Sequence, residues 1–284
     1  MNNTTRPFLT LVRRELWEHG SLFWAPLAMA LMIIVVSLVS GMVKGSVDID
    51  LGEDRPLPEL FGDAEKQRGI FSLVMAGLVL PQLLVAFVVV FFYLLDCLFT
   101  ERRDRSILFW KSLPVSDAKT VLSKLFVALV AVPLWSWVLS LVVGLVVFGV
   151  LAAQVSGTPA AGLGTWHGGT WLTVQAAMLG KMAIAALWYL PVAGWLLLGS
   201  VLAKRAPFLW ATLPFLVLSL AERITLGSNE VGALVAQRLF GFREEVSLIG
   251  EFPLLASPGL WIGVAVGAAL VYAAIRVRQH SDDS

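Results

Sequence analysis

Long apolar runs separated by short polar stretches dominate the chain. A run of about 20 apolar residues crosses a bilayer as a helix, since a helix satisfies its own backbone hydrogen bonds. The pattern predicts an all-α fold, a single membrane domain over residues 1–284 that forms a bundle of six transmembrane helices. The predicted spans are 22–43, 71–99, 121–153, 182–203, 207–226 and 258–275. Kinks are expected at the prolines inside five of them, Pro26, Pro81, Pro133, Pro191 and Pro214.

Two further stretches have helical periodicity without the length to cross a membrane. In TRPFLTLVRRELWEHG, the apolar residues Phe8, Leu9, Val12 and Leu16 recur at helical spacing, which predicts an amphipathic helix over 5–19 on one membrane face. VGALVAQRLFGF lies in the long connection 227–257 and is amphipathic too. This connection is therefore predicted to contain a short helix that dips into the outer leaflet as a re-entrant loop.

Composition and charge narrow the function classes. The chain is 58% hydrophobic and 14% charged, whereas a soluble domain has about 45–50% and about 25%, which favours a membrane protein. A net charge of +1 gives no reason to expect a nucleic-acid partner. The single cysteine and three scattered histidines predict neither a disulfide nor a metal site. Motifs of the type GxxxxGK[ST], HExxH and GxSxG do not occur, so we expect neither an enzyme nor a cofactor in this chain.

The distribution of basic residues predicts the orientation. Of the 21 Lys and Arg residues, 13 fall on the side that holds both termini and 7 on the other, with Lys181 unassigned. The richer side is cytoplasmic by the positive-inside rule, so both termini are expected in the cytoplasm.

Charged residues inside the predicted spans are candidates for a transport path, because burying a charge in a membrane is costly. Asp96 is either a helix-end carboxylate paired with Arg102 or Arg103, or part of a gate. Glu222 and Arg223 near the outer end of the fifth span either line a path or anchor the helix at the interface. Glycines at four-residue spacing in the last span serve either a dimer contact or packing within the chain (Gly259, Gly263 and Gly267).

The loop TERRDRSILFWKSLPVS, residues 100–116, carries an apolar patch among charges of both signs. The patch consists of Ile107, Leu108, Phe109 and Trp110, and its charged rim includes Glu101, Arg102, Arg103 and Arg105. Burying each large apolar side chain stabilises by about 1.5–3 kcal/mol, so the patch should be covered. The residues themselves support two burial sites for the patch equally: the lipid headgroup region and a groove on a partner protein.

The same loop resembles that of type-2 ABC exporter permeases. The resemblance rests on the pair Glu101-Arg102 at the end of the second span, a short hydrophobic helix, Leu113-Pro114 with Ser116, and Lys124 in the third span. The amphipathic N-terminal segment with RREL, the six spans and the long outer connection before the last span also match.

The resemblance implies a coupling helix in 100–116 that docks in a cleft of a separate ABC ATPase subunit, which binds ATP and Mg²⁺. It also implies an interface helix packed beside the coupling helix, bringing Arg13, Arg14 and Glu15 to the same docking region. Two permease chains, identical or paralogous, would pair in a bacterial cytoplasmic membrane to export an amphipathic, lipid-like or peptide cargo. The alternatives are a self-contained secondary transporter and a membrane-embedded enzyme or assembly factor.

Overall fold

A computed structural model of the chain describes residues 5–42, 64–104, 115–157, 161–242 and 253–280. Within these ranges every regular element is helical. The α-helices are α1 (Thr5–Glu18), α2 (Ser21–Met42), α3 (Ala64–Gly77), α4 (Leu80–Arg103), α5 (Asp117–Phe126), α6 (Val132–Val155), α7 (Gly168–Trp188), α8 (Leu190–Leu202), α9 (Pro207–Thr225), α10 (Glu230–Phe240) and α11 (Pro258–His280). In the described part of the chain, six helical segments are long and apolar enough to cross a membrane. This finding confirms the predicted all-α membrane bundle and makes the chain a multi-pass membrane protein.

Three of the long helical segments are interrupted close to a proline. Leu78 and Val79 separate α3 from α4, shortly before Pro81. Tyr189 separates α7 from α8, shortly before Pro191. A π-helical turn, Val127–Ala131, joins α5 to α6 just before Pro133. Proline has no N–H to donate and its ring collides with the carbonyl four residues back, so the helix must adjust there.

The fourth helical segment begins earlier than its hydropathy indicates. The predicted span was 182–203, whereas α7 begins at Gly168 and α8 ends at Leu202. Gln175 and Lys181 lower the mean hydropathy of α7 to 1.3, against 2.5 for α2. Packing compensates, because Val174 and Met178 of α7 are buried in a cluster with residues of α3 and α6.

Both termini of the described chain lie at one end of the bundle, called here the α1 end. The helices α2, α5 and α9 begin at this end, and α4, α8 and α11 finish there. The largest apolar cluster runs from the α1 end into the bundle and includes buried residues of α2, α4, α5 and α8.

Helices α8 and α11 approach each other closely. A Cβ built on Gly267 would lie 2.7 Å from the backbone nitrogen of Pro191, and one on Gly194 would lie 2.9 Å from the carbonyl oxygen of Gly267. A Cβ on Gly263 would collide with the guanidinium group of Arg238, whereas one on Gly259 would meet nothing within 4 Å. Gly263 and Gly267 therefore serve packing within the chain.

At the opposite end, α10 packs on the interruption between α7 and α8. Trp188 Nε1 donates to the carbonyl of Arg238 at 2.9 Å, and Tyr189 Oη donates to the carbonyl of Leu239 at 3.1 Å. The guanidinium of Arg238 lies 4.4 Å from the centre of the Trp188 ring. This short helix occupies the stretch where the sequence predicted a re-entrant segment.

Candidate functional site

The α1 end contains a buried cluster of charged side chains, built first from the amphipathic helix α1. Leu9, which was predicted on the apolar face of this helix, is exposed, whereas Val12 and its neighbour Leu11 are buried. Glu15 lies on the same side, one turn after them, and its side chain is fully buried. The periodicity that packs α1 against α5 therefore also places a carboxylate inside the protein.

Lys124 of α5 neutralises this carboxylate. Its Nζ lies 2.8 Å from both carboxylate oxygens of Glu15 and 3.0 Å from Oε1 of Glu101 on α4. Tyr93 Oη, also on α4, donates to Glu15 Oε2 at 2.9 Å. A lysine that is only 1% exposed and a glutamate that is fully buried need such partners, because an unpaired charge in this place would be costly.

Arg278, near the end of α11, extends the cluster to the last helix. Its NH1 lies 2.6 Å from Glu101 Oε2, and its Nε lies 2.8 Å from Asp117 Oδ1 on α5. Arg14 NH2 approaches Glu101 Oε1 at 3.5 Å. The planar fork of an arginine can bind two carboxylates at once in a fixed geometry, which one lysine nitrogen cannot reproduce.

The set Glu15, Glu101, Asp117, Lys124 and Arg278 is called here the buried charge cluster. With Arg14 included, it contains three acids and three bases, so its net charge is zero. Four helices contribute to it: α1, α4, α5 and α11. A matched set of buried charges contributes little net stability but strongly penalises any arrangement that separates the partners. The cluster is therefore suited to hold the four helix ends in one fixed arrangement.

The cluster brackets the loop that carries the apolar patch. Glu101 lies two residues before the end of α4, and Asp117 is the first residue of α5. Ser116 precedes it and caps α5 by accepting a hydrogen bond from the backbone N–H of Lys119. Both helix ends that flank residues 105–114 are thus fixed to the rest of the protein.

A second contact fixes the end of α4 to the end of α8. Arg102 NH2 donates to the carbonyl oxygens of Ser200 at 2.9 Å and Ala203 at 2.7 Å. Ser200 Oγ in turn accepts from the backbone N–H groups of Leu98 at 3.1 Å and Phe99 at 3.0 Å. The arginine satisfies carbonyls that are left without partners at a helix C-terminus.

His19, between α1 and α2, borders the cluster. Its ring packs edge-on against Tyr93 at 4.8 Å between centroids, and its Nε2 lies 3.9 Å from Glu15 Oε2. Burial lowers the pKa of His19, and the neighbouring charge of Glu15 opposes this effect only in part. The neutral imidazole is therefore favoured at this position.

The structure distributes the predicted docking residues between the interior and the surface. Glu15 and Glu101 are buried in the cluster, and Arg102 bonds to the end of α8. Arg13 and Arg103 are exposed. Arg14 lies between these extremes, in an ion pair of 2.7 Å with Glu18. The remaining predicted docking residues, Arg105 and Ile107 to Trp110, lie outside the residues that the structure describes.

The predicted gate residues do not lie in one place. Asp96 is exposed on α4 near the α1 end. Glu222 lies at the opposite end, where its carboxylate accepts hydrogen bonds from the backbone N–H groups of Glu230 at 2.7 Å and Val231 at 2.9 Å. It thereby caps the first turn of α10. Arg223 is exposed beside it.

Several residues in and beside the cluster had no functional role in the sequence-based prediction. Tyr93, Asp117 and Arg278 carry no local motif, and Ser200 lies in an apolar helix. Arg278 is separated from Asp117 by 161 residues and from Glu101 by 177. The local signals were two parts of the resemblance: the RREL segment, which contains Glu15, and the residues Glu101 and Lys124, which the structure brings within 3.0 Å of each other.

Within the described ranges, no group of three or more His, Cys, Asp or Glu side chains is placed to hold a metal ion. Comparison of the chain with family models, with curated proteins and with solved structures gave no match.

Proposed function

We propose that this chain is the permease subunit of an ABC exporter in a bacterial cytoplasmic membrane. One observation carries the proposal: the buried charge cluster fixes both helix ends that flank residues 105–114 to α1 and α11. A loop that receives force from an ATPase must be joined rigidly to the membrane helices, or the force would only bend the loop. The motif resemblance of this loop supports the same role.

In this proposal the α1 end faces the cytoplasm. The excess of Lys and Arg on that side supports the orientation. A separate ATPase subunit binds ATP and Mg²⁺, and this chain contributes no cofactor site. The exposed Arg13 and Arg103 are the described residues of the predicted docking set that a partner could reach directly.

The membrane-facing surfaces suit an amphipathic or lipid-like cargo and a second permease chain. Helix α9 buries only Ala211 and exposes large apolar side chains over the rest of its length. Such a surface is compatible with lipid, with acyl chains and with a second copy, but it offers nothing to offset the dehydration of a small ion. We place the transport path between two permease chains for this reason.

The alternative of a self-contained secondary transporter receives less support. Such a protein needs carboxylates that exchange protons or ions with the transport path. Here each carboxylate of the cluster lies 2.8 Å or less from a lysine or arginine nitrogen of the protein itself. Fixed protein cations therefore occupy the places that transported ions would take.

Purification of the tagged chain from its native membranes tests the proposal. We expect a co-purifying subunit with a GxxxxGK[ST] motif and a Mg²⁺-dependent ATPase activity that amphipathic compounds stimulate. The variant Phe109→Asp should lose this subunit, because a buried carboxylate without a partner is costly.

The matched control is Leu226→Asp, which adds the same charge to an exposed apolar residue at the opposite end. It should retain the ATPase. A wild-type preparation with no ATPase, which instead transports its cargo when a proton or sodium gradient is applied to proteoliposomes, would show that the exporter proposal is wrong.

A further inference from the structure

The side chain of Arg278 binds one residue on each side of the same loop. The carboxylate that it binds on α4 lies just before residues 105–114, and the carboxylate that it binds on α5 lies just after them. The arginine is almost fully buried, so water does not compete for its guanidinium group. A residue from a third helix therefore links the two helix ends, in addition to the direct ion pair between Lys124 on α5 and Glu101 on α4.

The helix that carries Arg278 differs from the two other long helical segments that reach the cluster. The α4 and α5 segments are each interrupted further into the bundle, at Pro81 and before Pro133. By contrast, α11 runs from Pro258 to His280 without a break. At 1.5 Å of rise per residue, the 20 residues from Pro258 to Arg278 span about 30 Å. A displacement of Arg278 is thus carried along a continuous helix, whereas the interruptions in the α4 and α5 segments can absorb a displacement there.

The far part of this helix contacts the short helix at the opposite end. Gly263 of α11 leaves the space that the guanidinium of Arg238 occupies, and Arg238 also lies over the ring of Trp188. Movement of α11 along or about its axis would displace this contact. The structure thus contains a physical connection from the loop at one end, through Arg278 and α11, to α10 at the other.

We infer that Arg278 is the positioning residue of the coupling step: it holds the two sides of loop 105–114 at a fixed spacing and transfers their movement to α11. The inference rests on the proposed exporter function for its meaning in transport. The positioning role itself can be measured without an ATPase.

The first measurement is the spacing of the two helix ends. Spin labels are placed at Arg103→Cys and Lys119→Cys in a Cys97→Ala background, and the distance distribution is recorded by double electron–electron resonance. We expect a narrow distribution in the otherwise wild-type protein and a broader or shifted one in Arg278→Gln. Asp117→Asn removes the charge from the contact to α5 and leaves the contact to Glu101 intact, and it should give a similar change. This second variant keeps the test decisive if Arg278→Gln does not fold, because the Asp117 side chain is partly exposed.

The matched control is Arg276→Gln, which removes an exposed arginine from the same helix end. It should leave the distribution unchanged. Equal distributions in wild type, Arg278→Gln and Asp117→Asn would overturn the inference.

The second measurement uses the complex with its ATPase subunit. In Arg278→Gln, the ratio of stimulated to basal ATPase activity in the purified complex should fall about tenfold or more, the size of a typical coupling between sites. Arg278→Lys keeps the charge but not the fork and should recover part of the stimulation. Unchanged stimulation in Arg278→Gln would overturn the inference.

A failure of the proposed exporter function and a failure of the positioning role of Arg278 give different experimental results. Absence of any ATPase partner from the wild-type protein would contradict the proposed function. The distance measurement would still decide whether Arg278 positions the loop.

Discussion

The pair Glu15–Lys124 offers the sharpest test of the buried charge cluster. Lys124 Nζ lies 2.8 Å from Glu15 and 3.0 Å from Glu101, and both members of the first pair are buried. At an effective dielectric constant of about 20, two unit charges 2.8 Å apart attract by about 6 kcal/mol. The cost of removing both ions from water offsets most of this attraction, so the net contribution of the intact pair is small.

The substitution Lys124→Met conserves the linear shape of the side chain and removes the charge. Glu15 then keeps Tyr93 as a hydrogen-bond donor but loses its closest cation, and Glu101 keeps Arg278. A buried charge left in this way typically costs about 3–5 kcal/mol, so we expect the free energy of unfolding to fall by that amount. Glu15→Gln should cost less, about 1–3 kcal/mol, because Lys124 retains Glu101 as a partner.

The double variant separates pairing from packing. Glu15→Gln with Lys124→Met leaves no unpaired charge between the two positions, so its loss should be smaller than the sum of the single losses by about 2 kcal/mol. The free energy of unfolding is measured by reversible unfolding with sodium dodecyl sulfate in mixed micelles, followed by tryptophan fluorescence. Lys119→Met, a partly exposed lysine of the same helix, is the control and should change stability by less than about 0.5 kcal/mol. Additive losses within about 0.5 kcal/mol would refute the cooperative cluster.

Three further predictions concern other parts of the molecule. Gly267→Ala should destabilise the protein by about 1–3 kcal/mol, since its Cβ would press on the α8 backbone, whereas Gly259→Ala should not, and the same unfolding assay compares them. Because burial lowers the pKa of His19, the folded state keeps its full stability above the unfolded pKa near 6.5 and loses stability as the pH falls from there through the lower folded pKa. The wild type should therefore lose stability between about pH 7 and about pH 5, while His19→Gln should lose less, and an equal loss in both would contradict the assignment. For the orientation, single cysteines in a Cys97-free background should be labelled from outside intact cells at Ser46, Gly168 and Ser228, but not at Asn3, Ser112 and Ser281. Outside labelling at Ser112 would contradict a cytoplasmic loop 100–116.

Much of the architecture could be predicted from the sequence because it depends on neighbouring residues. Hydropathy over about 20 consecutive residues indicates a membrane helix, and the spacing of Val12 and Leu16 indicates which side of α1 faces the protein. The six spans of the fold follow from such local patterns. The beginning of α7 could not be predicted from such patterns, because its polar residues are tolerated through packing against α3.

The candidate site could be predicted only in part. Glu101 and Lys124 belong to a loop motif, so a resemblance could point to them. In the sequence, Arg278 is simply a basic residue after the last span. Asp117 is simply an acidic residue in the first turn of a helix. Nothing in the sequence around either residue indicates that they meet at 2.8 Å.

The sequence by itself determined that this protein is a helical membrane bundle with an amphipathic helix at its N-terminal side, because lipid selects long apolar runs and helical period selects a face. The tertiary structure decided which charges meet. Glu15 and Lys124 are 109 residues apart, and Glu101 and Arg278 are 177 apart. Their pairing depends on which helix ends pack together at the α1 end, and on the high cost of leaving any one of them buried without its partner.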